Sequence, residues 1–154
     1  MELPINSYGE RAVVYFKQGY NCSQSVVAPF AEELGLDVDT ALKLSSGFGG
    51  GIGRMREVCG AFCGLTMVVG LKYADPADPN DKSRIYTIVQ QLAEQFKAET
   101  GRGTLICRDL LSDSAPTGGT RAEARTDGYY KRRPCVELVR SAADILGDYI
   151  RQNP

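Results

Sequence analysis

An all-α fold is what this sequence predicts, and three observations predict it. Apolar residues recur with a period near 3.6 in several stretches, most clearly between Lys82 and Thr100 and after Pro134. Capping residues and glycines stand at the ends those stretches require. No run of strand length alternates apolar with polar residues. With 154 residues, 43% of them hydrophobic, the chain can bury one core without disulfide staples. The expectation is one compact domain over residues 1–154, about six helices arranged with a glycine-rich loop.

The first helix starts from Ser7, with Glu10 completing a capping box, places Ala12, Val13 and Phe16 on one face and meets Gly19. The second starts at the N-cap Asn21, so that Cys22 falls in its first turn; it carries Val26, Val27, Phe30 and Leu34, stops at Gly35, and contains a bending proline, Pro29. A shorter helix capped at Asp37 or Asp39 runs into the glycine loop. A long one is expected from about Met55 to Tyr73, before the two prolines of "ADPADPN". The next repeats Ile85, Ile88, Val89, Leu92 and Phe96 and ends at Gly101. "GTLICRDLLSD" starts a helix near Thr104 with Cys107 near its first turn, and residues 112–128 read as a polar loop. The last helix has Pro134 at its first position and an apolar face of Val136, Leu138, Val139, Ala142, Ile145, Leu146 and Ile150.

Charge and composition remove several functions. A net charge of −1 and a pI near 5.5 offer no general attraction for nucleic acid or an anionic membrane. The most apolar stretch, Val58 to Leu71, is shorter than the ~20 residues a bilayer requires and is flanked by Arg54, Arg56 and Lys72, so no membrane insertion is expected. The first residues, Met1 to Asn6, lack a secretory signal, and Glu2 rules out N-myristoylation, which makes the expected compartment cytoplasmic. There is no histidine, so imidazole serves neither as base nor as ligand. Five cysteines without a secretory signal point to reduced thiols, a metal site or a redox pair rather than a disulfide framework.

The glycine loop, "GFGGGIGR", has neither the G-x-G-x-x-G spacing after a strand nor the G-x-x-x-x-G-K of a P-loop. Its plain reading is a tight reversal between packed helices, which positive φ permits. Alternatively, amides of Gly49, Gly50 and Gly51 donate to an anion such as a thiolate or a cluster sulfide.

Cys22, Cys107 and Cys135 each fall in the first turn of an expected helix, where free amides and the helix dipole favour thiolate. Cys59 and Cys63 stand four apart inside the expected Met55 to Tyr73 helix, as two small apolar residues of a packed face. Gly60 and Gly64, also four apart, suggest a close helix approach there, within the fold or across a homodimer. None of the cysteine spacings matches a C-x-x-C zinc ribbon, ferredoxin or thioredoxin pattern, so any shared sulfur site must be assembled by tertiary structure.

The stretch "CGAFCG", residues 59–64, fits C-G-A-x-x-G; "NCSQSVV" precedes it, "CRDLL" and "RPCVELV" follow, and "SSGFGGGIGR" leads into it. This order resembles the C_GCAxxG_C_C family of redox-active proteins, from about residue 8 to 150. The resemblance implies redox activity and a role for four cysteines, which fall here on Cys22, Cys59, Cys107 and Cys135. Cys63 occupies a variable position of the motif and is an addition, available as a resolving thiol or spare ligand.

Three chemistries are compatible with this set. Four cysteines and no histidine suit an iron-sulfur cluster, most simply 2Fe-2S, for electron transfer to a redox partner protein or for sensing. Zinc on the same four sulfurs would be a structural variant. Without metal, a low-pKa cysteine attacks and another resolves, with the "KRR" of Lys131 to Arg133 either stabilising the Cys135 thiolate or forming solvated surface. The third reading is a non-enzymatic helical module that dimerises or binds a partner through the Gly60 and Gly64 face, its cysteines being packing.

Overall fold

A computed structural model describes residues 7–154. The reading of Met1 to Asn6 as lacking a signal lies outside the described residues. The described residues are helical as expected, but with eight α-helices among them rather than six. In order they are α1 (Tyr8–Lys17), α2 (Cys22–Ala31), α3 (Val38–Ser45), α4 (Gly60–Tyr73), α5 (Lys82–Thr100), α6 (Cys107–Leu111), α7 (Asp127–Arg132) and α8 (Cys135–Gln152). The described residues contain no strand, only an isolated antiparallel bridge between Val58 and Ile106.

Local chemistry fixes most helix ends. Ser7 caps α1 by accepting from the Glu10 amide at 3.1 Å. Asn21 and Gln24 form a reciprocal box at the start of α2, at 2.9 and 3.0 Å. Asp37, the first of the two expected candidates, caps α3 through the Thr40 amide at 2.8 Å. Pro29 lies inside α2, which gives way after Ala31 to a 3-10 turn closed by Gly35 in the left-handed region. Left-handed Gly101 ends α5.

Three expectations need correction. The helix expected from Met55 begins only at Gly60, because Arg56 is left-handed at φ 59° and residues 57–59 are drawn into the bridge with 105–107. Part of the stretch read as a loop is α7, capped by Thr126 accepting from the Tyr129 amide at 3.1 Å. Pro134 is the N-cap of α8 rather than its first helical residue.

The core forms around α2, every residue of which from Val26 to Ala31 is buried. Phe16 of α1, Leu65 and Val69 of α4, Leu92 and Phe96 of α5, and Val139 and Leu146 of α8 join it. Burying such side chains contributes about 1.5–3 kcal/mol each before conformational entropy is subtracted. Two glycines allow the closest approaches. A β-carbon on Gly64 would lie 2.8 Å from the Ser23 carbonyl oxygen of α2, and one on Gly147 would lie 2.5 Å from the Tyr8 ring of α1. The small-residue face of Gly60 and Gly64 is therefore filled from within by α2 and the loop before α4. No helix among the described residues is long and apolar enough to cross a membrane.

Candidate redox site

The glycine loop positions the site by reversing its backbone hand. Residues Gly50, Gly51, Ile52, Gly53 and Arg54 have successive φ values of 66, 72, 65, 56 and 62°, and Arg56 follows at 59°. Such a run costs glycine little but a side-chain-bearing residue about 1–2 kcal/mol. Its bonds hold it: Gly53 N–H donates to the Gly47 carbonyl at 2.7 Å, Arg56 to Gly50 at 3.1 Å and Glu57 to Gly51 at 2.9 Å. Asn21 Nδ2 donates to the Ser46 carbonyl at 2.8 Å, tying the loop to the start of α2. Close approach also requires the glycines. A β-carbon on Gly49 would overlap the Asn21 side chain, and one on Gly51 would stand 2.6 Å from Cys107 Cβ.

From the loop the chain enters the bridge. Cys59 N–H donates to the Leu105 carbonyl at 2.7 Å and Cys107 N–H to the Glu57 carbonyl at 2.5 Å. With Val58 facing Ile106, Cys59 and Cys107 project to the same side, diagonal neighbours across the bridge. Cys59 then caps α4 and Cys107 opens α6. Cys22 opens α2, its sulfur lying against Gly60, and Cys135 opens α8.

These four cysteines line one cavity of about 320 Å³. Gly49, Gly50, Arg54, Arg56, Arg125 and Arg133 line it too. Of the loop glycines expected beside the sulfurs, Gly51 is absent from the lining but packs against Cys107. Cys63 is not in the lining: it sits one turn into α4 with its Sγ 3.8 Å from the Val58 carbonyl. The expected pairing of Cys59 and Cys63 inside one helix therefore does not occur, since Cys59 precedes it. All five cysteines are free thiols. No three histidine, cysteine, aspartate or glutamate side chains among the described residues are grouped closely enough to hold a metal ion.

The electrostatics run against the expectation of acidic first-turn thiols. Burial pushes Cys135 up to about 12 and Cys63 up to about 11, and raises Cys59 well above and Cys107 above the ordinary thiol value. The neighbouring Cys22 sulfur adds a smaller rise at all four. Desolvation by burial is the largest cause at each of these four and outweighs the helix dipole. Arg56, with Nη1 at 3.9 Å from Cys107 Sγ, partly offsets the burial of that thiol. The "KRR" cluster divides: Lys131 and Arg132 are exposed, whereas Arg133 is buried and pulls the Cys135 thiol down.

Of the arginines in the lining, only Arg133 was marked by the sequence as a partner of a thiolate, through the "KRR" before Cys135. Arg54 and Arg56 stood out only as flanks of an apolar stretch, and Arg125 had no signal, since its role comes from donating to the Phe16 and Tyr20 carbonyls at 2.7 and 2.9 Å.

The family model described as "Putative redox-active protein (C_GCAxxG_C_C)" matches residues 20–149. The chain belongs to the C_GCAxxG_C_C family. The match runs from just before Cys22 to beyond Cys135, and so takes in the whole sulfur set and the glycine loop. No curated protein and no solved structure matches the chain. In this member of the C_GCAxxG_C_C family, the matched stretch contains all four cysteines that line the cavity.

Proposed function

We propose that Cys22, Cys59, Cys107 and Cys135 form a single redox centre that binds an iron-sulfur cluster, used for electron transfer or sensing. The observation that carries this reading is that four cysteines from four separate parts of the chain face one cavity. A family described as redox-active supports it.

The donor set suits the group by its chemistry. Four sulfurs and no imidazole are the ligands of an all-cysteine cluster and exclude a Rieske centre. A lone zinc ion would need its four sulfurs within about 2.3 Å of one point. No three ligating side chains among the described residues are grouped closely enough to hold such an ion. When bound, the cluster would supply one-electron chemistry. The residues of this chain would supply the rest. Cys22 and Cys135 would hold from helix starts, Cys59 and Cys107 from either side of the bridge, and Tyr129 and Leu138 would narrow solvent access. Arg56 and Arg133 would offset the negative charge of the ligating thiolates.

Thiol exchange without metal is less well supported, because burial keeps Cys59, Cys107 and Cys135 protonated and hence weak as nucleophiles. A dimerisation module acting through Gly60 and Gly64 is disfavoured, since that face is filled within the fold.

The test is an absorption spectrum with iron, zinc and sulfide analysis on protein purified without oxygen. Visible bands with stoichiometric iron and sulfide, both lost in Cys59→Ser, are expected. A colourless, iron-free protein whose thiols oxidise and reduce reversibly would overturn the cluster and leave dithiol chemistry.

A further inference from the structure

Two arginines in the cavity wall are buried without full compensation. Arg56 is only 4% exposed, and among the described residues it pairs with no acid: Nε donates to the Pro116 carbonyl at 3.1 Å and Nη1 lies 3.9 Å from Cys107 Sγ. The Arg133 side chain is 5% exposed; it pairs with Glu123, which Arg132 shares, and its Nε is buried with no partner among the described residues. A buried guanidinium is costly unless its charge and its N–H groups are both satisfied. The lining sets Arg54, Arg56, Arg125 and Arg133 against one carboxylate, Glu123. With the thiols protonated, an anion entering the cavity would supply the missing negative charge.

The glycine loop brings further donors to the same wall. Gly49 and Gly50 line the cavity, and their carbonyls are taken by the amides of Arg54 and Arg56. Their own amides donate to no carbonyl or side chain among the described residues. Successive free amides in such a turn form a concavity suited to an anion. At about 320 Å³ the cavity lies at the small end for ligand sites.

We propose that this cavity binds a small oxyanion, tetrahedral or pyramidal, clasped by Arg56, Arg133 and the amides of Gly49 and Gly50 beside the four sulfurs. The site goes beyond the cluster reading and stands whether the sulfurs carry iron or remain thiols. Guanidinium groups present parallel N–H donors that match the oxygens of such an anion, whereas chloride uses the charge but not the fork. The position beside the cysteines makes the anion a ligand of the redox centre rather than of a remote surface.

The test is calorimetric titration of the reduced full chain, as purified, with sodium sulfate at an ionic strength held constant with chloride. Sulfate stabilises folded proteins generally by exclusion from their surface, so heat of binding is measured rather than melting alone. One sulfate per chain is expected in the wild type, with affinity at least tenfold weaker in Arg56→Gln and in Arg133→Gln. Arg140→Gln, which removes only an exposed pair with Glu137, should bind as the wild type does. Where Arg56→Gln does not fold, Arg56→Lys keeps the charge without the fork and should still bind more weakly. No binding to the wild type beyond chloride, or equal affinity in the wild type and every folded cavity variant, overturns the site. Iron and sulfide content of the same sample judges the cluster separately.

Discussion

The sulfur of Cys22 fills the space that a β-carbon on residue 60 would take, and the Phe48 carbonyl oxygen would lie 2.8 Å from that carbon. The second residue of the C-G-A-x-x-G motif is thus glycine because a cysteine 38 positions earlier in the chain needs its space. Gly60→Ala should push Cys22 out of the cavity, since the Phe48 backbone cannot yield as a flexible side chain would. The expected loss is about 1–3 kcal/mol of stability, seen as a melting temperature lowered by about 2–4 °C for each kcal/mol. Iron content should fall with it, and a variant that melts and loads like the wild type would contradict this arrangement.

Cys63 should be dispensable where Cys59 is not. Its thiol points at the Val58 carbonyl, outside the cavity lining. Cys63→Ala should retain the iron and sulfide of the wild type and lose about 1 kcal/mol of stability, the size of a small truncation in a half-buried position. Iron loss in Cys63→Ala equal to that in Cys59→Ser would make it a ligand.

Glu123 makes the stability depend on acid. Hydrogen bonds from Arg132, and then from Arg133, hold its carboxyl below the ordinary glutamate value. The unfolded chain therefore takes up this proton first as pH falls. The contribution of the pair is present above the unfolded value of about 4.3 and is lost as pH falls through it to the lower folded value. Glu123→Gln should cost about 1 kcal/mol at pH 7, given that the Glu123 side chain is still 25% exposed. Urea denaturation at pH 7 and at about pH 3 should show that difference shrinking towards zero. A difference that persists in acid would mean that packing, not charge, ties Glu123 to Arg133.

Ile52 is a place where the native chain is held in strain. It is β-branched, left-handed at φ 65°, and is not among the residues packed against the core. Ile52→Gly removes about 1–2 kcal/mol of strain and adds about 0.5–1 kcal/mol of unfolded-state entropy cost. A net gain of about 0.5–1 kcal/mol is expected, read as a higher urea midpoint with unchanged slope. A lower midpoint would show that its side chain supports the loop.

What could be read in the sequence was what local chemistry decides. The caps at Ser7, Asn21 and Asp37, the periodic face of α5 and the apolar face of α8 all sit where the pattern put them. The four cysteines of the family were legible by their order alone. The start of α4 was not, because Met55 to Cys59 have helix-compatible composition, and only the pairing with residues 105–107 draws them out of a helix. Helix α7 was missed because "DGYYKR" is too short to show a period, so its tie to α1 comes instead through Tyr129 and Tyr130 packing on Phe16. Arg133 was legible only as one of the "KRR" before Cys135, and Arg56 gave no signal as a site residue, since their burial depends on long-range neighbours, Glu123 and Cys107.

The order of the four sulfurs along the chain also sets when they can first meet. Cys22 leaves the ribosome early and Cys135 last, with Cys59 and Cys107 between them. At about 5–20 residues per second, synthesis separates the first from the last by on the order of 10 s. Until α8 emerges, the growing chain exposes thiols and lacks the wall that Cys135 and Arg133 complete. A ligand that needs all four sulfurs would thus be held in full only after α8 has been made, and its capture would report that Cys135 has reached the other three.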